Sequence, residues 1–224
     1  MKYEGVVFDF EGTLAETSYF YYKLLRDSAK SLGINFRYSF SDIQVLRNNH
    51  ISEDDLISCI TPANLKEDYI KKLRDNYDEC HDEYTFLFPE TIDIALKLKN
   101  LDCRISIYTN MKQSWEELIS SFPKLREVEE GVIFMNRTKA ESSKPCPRAL
   151  KELCNQMEVE PRRCVMVGDS SADMKMGESV GMVNIGVLTG VASEKELIES
   201  GANGVIPRIA CLPEVLEEKN VRSS

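Results

Sequence analysis

A doubly wound α/β fold, with a parallel sheet split after its first strand by a helical insertion, is the architecture this sequence predicts. Three observations carry it. The apolar run Gly5-Val6-Val7-Phe8 ends in Asp9 and then Gly12, as expected of a buried parallel strand whose carboxyl end carries polar residues. From Leu14 to Leu87 the apolar spacing is helical and no strand interrupts it. Beyond Pro89, short apolar runs alternate with helical segments, which is the pattern of repeated βα units with helices on both faces of a parallel sheet.

Taken in order, GVVF (5–8) is the first strand. YYKLLRDSAKSLG, SDIQVLRNN and ANLKEDYIKKLRDNYDEC supply the helices of the insertion, with start signals at Ser41, Asn64 and Ser52, and read together as a small bundle. A helix follows Pro89 (ETIDIALKLKNL), then a strand CRISIYT, a helix around SWEELISSF and a strand GVIFM. The helix PRALKELCNQM, strand RCVMVGD, helix ADMKMGESVG, strand VNIGVL, helix SEKELIES, strand GVI and a last helix around PEVLEE complete the series. The domain division is therefore 1–13 with 88–224 for the α/β domain and 14–87 for the insertion, with NVRSS fraying at the end.

Composition narrows the function classes. Hydrophobic residues at 42% and charged residues at 29% describe a globular chain rather than a disordered one. A formal charge of −9 leaves no surplus of Lys and Arg for general affinity to nucleic acid. No apolar stretch approaches the ~18 residues of a membrane span or the h-region of a signal peptide, so a soluble, cytoplasmic protein is expected, as a monomer or weak homodimer. Seven scattered cysteines without a CxxC pair fit reduced thiols, with Cys103 and Cys164 as core fillers. His50 and His81 have no ligand-spaced partner; Trp115 and Tyr19, Tyr21 and Tyr22 read as core, and Arg47, Lys66 and Arg74 as solvated helix charges.

In open α/β sheets ligands bind off the carboxyl ends of the strands. Strand one ends in Asp9, with Glu11, Gly12 and Thr13 behind it; CRISIYT ends in Thr109 and Asn110; Lys144 lies in the loop after GVIFM; RCVMVG runs into Asp169, with Asp173 close behind. Their chemistry is coherent. A carboxylate can attack phosphorus and split one difficult displacement into two easier ones. Crowded carboxylates call for a divalent cation, and Mg2+ suits a few carboxylates together with a substrate phosphate. A lysine and a hydroxyl can hold the remaining phosphoryl oxygens, and Glu11 is placed to act as acid and then base.

FDFEGT (8–13), Thr109, Lys144 within SSKPCPRAL, and VGDSSADMKMGESVGM (167–182) resemble the four motifs of the haloacid dehalogenase (HAD) superfamily. The resemblance covers essentially all of the α/β domain, and the insertion resembles that family's helical cap in position and helical character. It implies Asp9 as nucleophile and Mg2+ ligand, and Glu11 as acid and base with a backbone carbonyl on the metal. It also implies Thr109 and Lys144 on the phosphoryl group, Asp169 as second carboxylate ligand, Asp173 orienting metal-bound water, and Asn110 offering its backbone N–H to phosphate. The implied activity is hydrolysis of a small phosphorylated metabolite, with the cap closing over the site. Phosphoglycolate phosphatases and β-phosphoglucomutases share this look, and 188–206 resembles the former in particular.

Two positions depart from the family pattern. Glu11 stands where an Asp is usual, and its carboxylate reaches one methylene further; a displacement of about 1 Å can cost roughly a hundredfold in rate. A phosphomutase, or a catalytically weak HAD-like binding module, therefore stays open beside the phosphatase. Glu90 stands where Pro-Gly pairs usually end, near the return from the insertion.

Overall fold

Val6, Val7 and Phe8 have nothing to offer water, and strand β1 (Gly5–Phe8) is buried at every position. The computed structural model describes residues 3–48, 51, 53–138 and 143–217. Around β1 it sets β4 (Arg104–Thr109), β5 (Val132–Asn136), β6 (Cys164–Gly168), β7 (Val183–Val187) and β8 (Gly204–Ile206) in one sheet of order β5-β4-β1-β6-β7-β8. Every neighbouring pair is parallel, with Phe8 opposite Ile107 on one side and Val167 on the other. The chain builds outward from β1 to β5, then crosses back to β6 and builds the other way, so the topological switch lies beside β1.

Alternate residues of each strand enter different cores. Val6, Phe8, Ile105, Ile107, Val165 and Val167 pack with Leu98 of α6 (Thr91–Asn100), Leu118 of α7 (Trp115–Ser121) and Leu216 of α11 (Leu212–Glu217). Val7, Tyr108 and Met166 pack with Leu150, Leu153 and Met157 of α8 (Arg148–Met157) and with Met176 of α9 (Ser171–Ser179). Helix α10 (Glu194–Glu199) brings Leu197 so close to β7 that a Cβ on Gly186 would lie 2.8 Å from its Cδ1. Cys103 and Cys164 are buried, as their apolar neighbours imply.

Cα proximity divides the chain into Met1–Ala15 with Leu87–Ser224, and Glu16–Phe86. The crossings are two two-residue strands, β2 (Ala15–Glu16) and β3 (Phe86–Leu87), paired as a separate small sheet. An all-helical insertion over 14–87 predicts no strand; these short ones lie at its edges.

Within Glu16–Phe86 lie α1 (Ser18–Ser31), α2 (Phe40–Asn48), α3 (Glu53–Ile60), α4 (Lys66–Asp75) and α5 (Tyr77–Tyr84). Leu25, Ala29, Ile43, Leu56, Ile57, Ile60 and Tyr69 form their core. Helix α2 starts two residues before the expected signal: Ser39, not Ser41, caps it, accepting from Asp42 N–H at 3.2 Å while Asp42 Oδ2 accepts from Ser39 N–H at 2.8 Å. Asn64 lies in a short 3₁₀ turn, Ala63–Leu65, and the single helix expected from Ala63 onward breaks at Asn76 into α4 and α5. Tyr19 is 41% exposed rather than core, whereas Trp115 is buried against Phe134 with ring centroids 5.3 Å apart. Lys66 pairs with Asp54 at 2.8 Å, and Arg74 is exposed. The Ser52 start signal, His50, the side chains of Arg47 and His81, and the terminal NVRSS lie outside the described residues.

Burial pushes the Tyr69 hydroxyl above its ordinary range, and that hydroxyl donates to the Leu25 carbonyl at 2.8 Å. Tyr69→Phe keeps the ring and deletes this bond, so urea denaturation should show a loss of about 1 kcal/mol. No helix among the described residues is long and apolar enough to cross a membrane.

Candidate active site

Asp9 sits one residue beyond β1 and still follows the ladder, donating its N–H to Val167 O at 2.9 Å. The chain then turns back sharply: the N–H groups of Thr13, Leu14 and Ala15 all reach Phe10 O, at 3.3, 2.9 and 3.0 Å. That turn needs Gly12 at φ +74°, a left-handed conformation that a side chain would strain. Its tightness keeps the Asp9 carboxylate at the end of the sheet, 5% exposed.

On the neighbouring strand, β4 ends in the buried Thr109, whose Oγ1 accepts from Met111 N–H at 3.0 Å and keeps its own proton to donate. Asn110 has a role its position did not suggest. Its Oδ1 accepts the Lys144 backbone N–H at 2.9 Å and so fixes the loop that carries the lysine, in which the Lys144–Pro145 peptide is cis. At the end of β5, Asn136 donates to Lys112 O at 3.0 Å and Gln113 O at 2.8 Å, holding the stretch after Asn110.

On the other side, β6 delivers Asp169, and Ser170 opens α9 through a capping box. Ser170 Oγ accepts from Asp173 N–H at 3.3 Å, while Asp173 Oδ2 accepts from Ser170 N–H at 3.2 Å and Ser170 Oγ–H at 2.5 Å. The other oxygen, Asp173 Oδ1, lies 2.8 Å from Lys144 Nζ, and the same ammonium pairs with Asp9 Oδ1. Helix-cap aspartate and site aspartate are here one residue.

The structure thus brings together Asp9, Asp169, Asp173 and Lys144, with Thr109 and Asn110 on the adjoining strand end. Asp9, Asp169 and Asp173 each offer a carboxylate oxygen within 4.8 Å of the others. Glu11 is partly exposed in the turn, bridged to Ala15, and its side chain is not among those three carboxylates. Its sequence-predicted metal contact was through the backbone carbonyl. Glu90 is taken up elsewhere, with Oε1 3.2 Å from Arg208 Nε.

The charge balance is lopsided, three buried carboxylates against one ammonium. Burial raises the Asp9 carboxyl well above its usual range; Lys144 opposes the shift, and Asp173 and Asp169 add repulsion. Burial, then Asp173, pushes Asp169 up to about 6 against the pull of the Val191 N–H and Lys144. Burial disfavours the Lys144 ammonium, but Asp173 and Asp9 outweigh it and hold its pKa above the ordinary lysine value. A hard divalent cation suits this donor set: its ligands are all carboxylate oxygens, and its charge offsets their excess.

A pH dependence follows. A carboxyl raised from about 3.9 in the unfolded chain to about 6 in the fold binds its proton more tightly when folded. Its stabilising contribution is complete below the unfolded value and lost as pH rises through the folded one. Metal-free protein should therefore lose stability as pH rises from about 4 through about 6. Urea midpoints across this range in EDTA should show a falling slope that Asp169→Asn flattens and a divalent cation reverses.

One contributor lay outside the residues picked from the sequence. The loop after β7 gives its Val191 N–H to Asp169 Oδ2 at 2.7 Å and its Ala192 N–H to Asp169 O at 3.0 Å. Thr189-Gly190, a polar residue and a glycine just past the end of β7, was the available signal.

A buried acid–lysine cluster at the switch point of a doubly wound sheet marks an α/β enzyme whose chemistry runs at its strand ends. Residues 6–187 match the model of the haloacid dehalogenase-like hydrolases, and the chain belongs to that family. It is 26% identical over 184 residues to the pyrophosphatase PpaX of Bacillus cereus (strain ATCC 10987 / NRS 248), 81% of each chain. A predicted phosphoglycolate phosphatase from Haemophilus somnus 129pt shares the fold with a TM-score of 0.77 at 16% identity, over 97% of this chain and 99% of that one. So does a HAD family hydrolase from Deinococcus radiodurans R1 with bound phosphate and sodium, with a TM-score of 0.77 at 16% identity over 98% and 97% of the two chains.

Proposed function

We propose that this hydrolase is a Mg2+-dependent phosphatase that cleaves a small phosphorylated metabolite, with Asp9 as the transiently phosphorylated nucleophile. The observation that carries the reading is the convergence of Asp9, Asp169, Asp173 and Lys144 at one point of the sheet, from three separate stretches of chain. The relative named as a pyrophosphatase and the related structure holding phosphate lend support from phosphate chemistry.

The Asp9 and Asp169 side chains, with Asp173 behind them and the Glu11 backbone carbonyl, would hold Mg2+; bound there, it would draw charge from the phosphoryl oxygens and relieve the carboxylates' repulsion. An Asp9 carboxylate oxygen attacks phosphorus, and the bond from phosphorus to the ester oxygen breaks. Glu11 gives its proton to that leaving oxygen. Its carboxylate then takes a proton from water, whose oxygen attacks the same phosphorus and frees Asp9 and inorganic phosphate. Throughout, Lys144 and the Thr109 hydroxyl hold phosphoryl oxygens, with Lys144 kept charged by Asp173.

Phosphate release from a panel of small phosphomonoesters and pyrophosphate, with Mg2+ and with EDTA, tests this. Mg2+-dependent turnover of a monoester is the expected result. Turnover of pyrophosphate alone would move the substrate class, isomerisation of a hexose phosphate without net release would mark a mutase, and silence across the panel from folded, cation-binding protein would overturn the phosphatase reading.

A further inference from the structure

Asp169 sits between two glycines. A Cβ on Gly12 would lie 2.6 Å from Asp169 Oδ2 and 3.0 Å from the Gly190 Cα, and a Cβ on Gly190 would lie 1.8 Å from the same Oδ2. Gly190 lies outside the left-handed region, so the requirement there is proximity: the backbone after β7 runs directly against the carboxylate. Two bonds fasten this arrangement. Val191 N–H donates to Asp169 Oδ2 at 2.7 Å, and the Thr189 hydroxyl donates to Gly12 O at 2.6 Å, tying the loop after β7 to the turn that follows Asp9.

We propose that Thr189, Gly190 and Val191 are positioning residues for the divalent cation: they fix the rotamer of Asp169 and clamp the Asp9 turn to it. The inference rests on the proposed metal-dependent function and deepens it. The Val191 amide on Oδ2 holds the Asp169 carboxylate in one orientation, in which it would serve as a ligand. The Thr189 hydroxyl holds the peptide next to the Glu11 carbonyl, so the turn after Asp9 and the loop beside Asp169 keep a common spacing. Groups that orient metal ligands in this way alter affinity by about 10–100-fold when removed.

Mn2+ binding to the purified full chain, followed by titration calorimetry without substrate, reads this separately from turnover. Gly190→Ala forces the Asp169 carboxylate to rotate, and Mn2+ affinity should fall by about 10–100-fold. Thr189→Val, which keeps the shape and loses the hydroxyl, should weaken binding in the same direction, and Thr189→Ser should restore it. Should Gly190→Ala fail to fold, the Val and Ser pair at 189 decides alone. Wild-type affinity in Thr189→Val and in folded Gly190→Ala, while Asp169→Asn loses Mn2+, overturns the positioning role and leaves the metal reading intact. Unchanged Mn2+ binding in Asp169→Asn overturns both.

Discussion

Asp9→Asn should abolish turnover while leaving the protein folded. The substitution is nearly isosteric and removes the nucleophilic oxygen anion, and loss of a nucleophile costs on the order of 10⁴–10⁶ in kcat. Burial opposes ionisation of Asp9, so the neutral amide relieves a cost that the folded state carries. Stability in EDTA at pH 7.5 should therefore hold or rise, although Lys144 keeps only Asp173 as a partner. Steady-state phosphate release and urea midpoints, measured on the same preparation, check the two halves. Wild-type turnover in the variant would sink the assignment of Asp9, and lost turnover with a lost fold would sink the account of its burial.

The second large effect belongs to Lys144→Met. Lys144 is 4% exposed at its side chain and pairs with Asp9 and Asp173, themselves 7% and 1% exposed. A thioether of similar reach would leave three buried carboxylates without their ammonium. Breaking a buried ion pair from one side costs roughly 3–5 kcal/mol, which in a chain of this length lowers Tm by about 10 °C. Added Mg2+ should recover part of that loss, since it supplies positive charge to the same carboxylates, but not turnover, which should fall by about 10²–10⁴. A Tm unchanged in EDTA would mean that the carboxylates relieve themselves by protonation, and the charge account of the site would need revision.

Much of the α/β domain could be read beforehand because its strands are buried on both faces. Runs such as Val6-Val7-Phe8 and Val165-Met166-Val167 have no solvent face to break the signal, and the first polar residue marks where each strand leaves the sheet. The same physics exposed Asp9, Thr109 and Asp169 as strand-end residues. The insertion was harder. Ser39-x-x-Asp42 and Ser41-x-x-Gln44 both spell a capping box, and only the chain's geometry chooses the first. The break at Asn76 also falls in a run whose helical spacing gives no warning. Thr189 to Val191 escaped for another reason: two of the groups involved are a backbone amide and an absent side chain, to which residue type is nearly blind.

The excursion from Glu16 to Phe86 begins and ends at one spot. Leu14 O accepts both the Phe88 N–H at 3.0 Å and the Thr91 hydroxyl at 2.7 Å, so the departing and returning segments are stitched together within the α/β domain itself. Seen as inheritance rather than mechanics, that stitch is a graft point. Residues between its two ends can lengthen, shorten or diverge for only a slowly growing closure cost, while the pairing of β1 with β4 and β6, on which the acids depend, is left untouched. Change can then fall on the segment Glu16–Phe86 with the sheet held still.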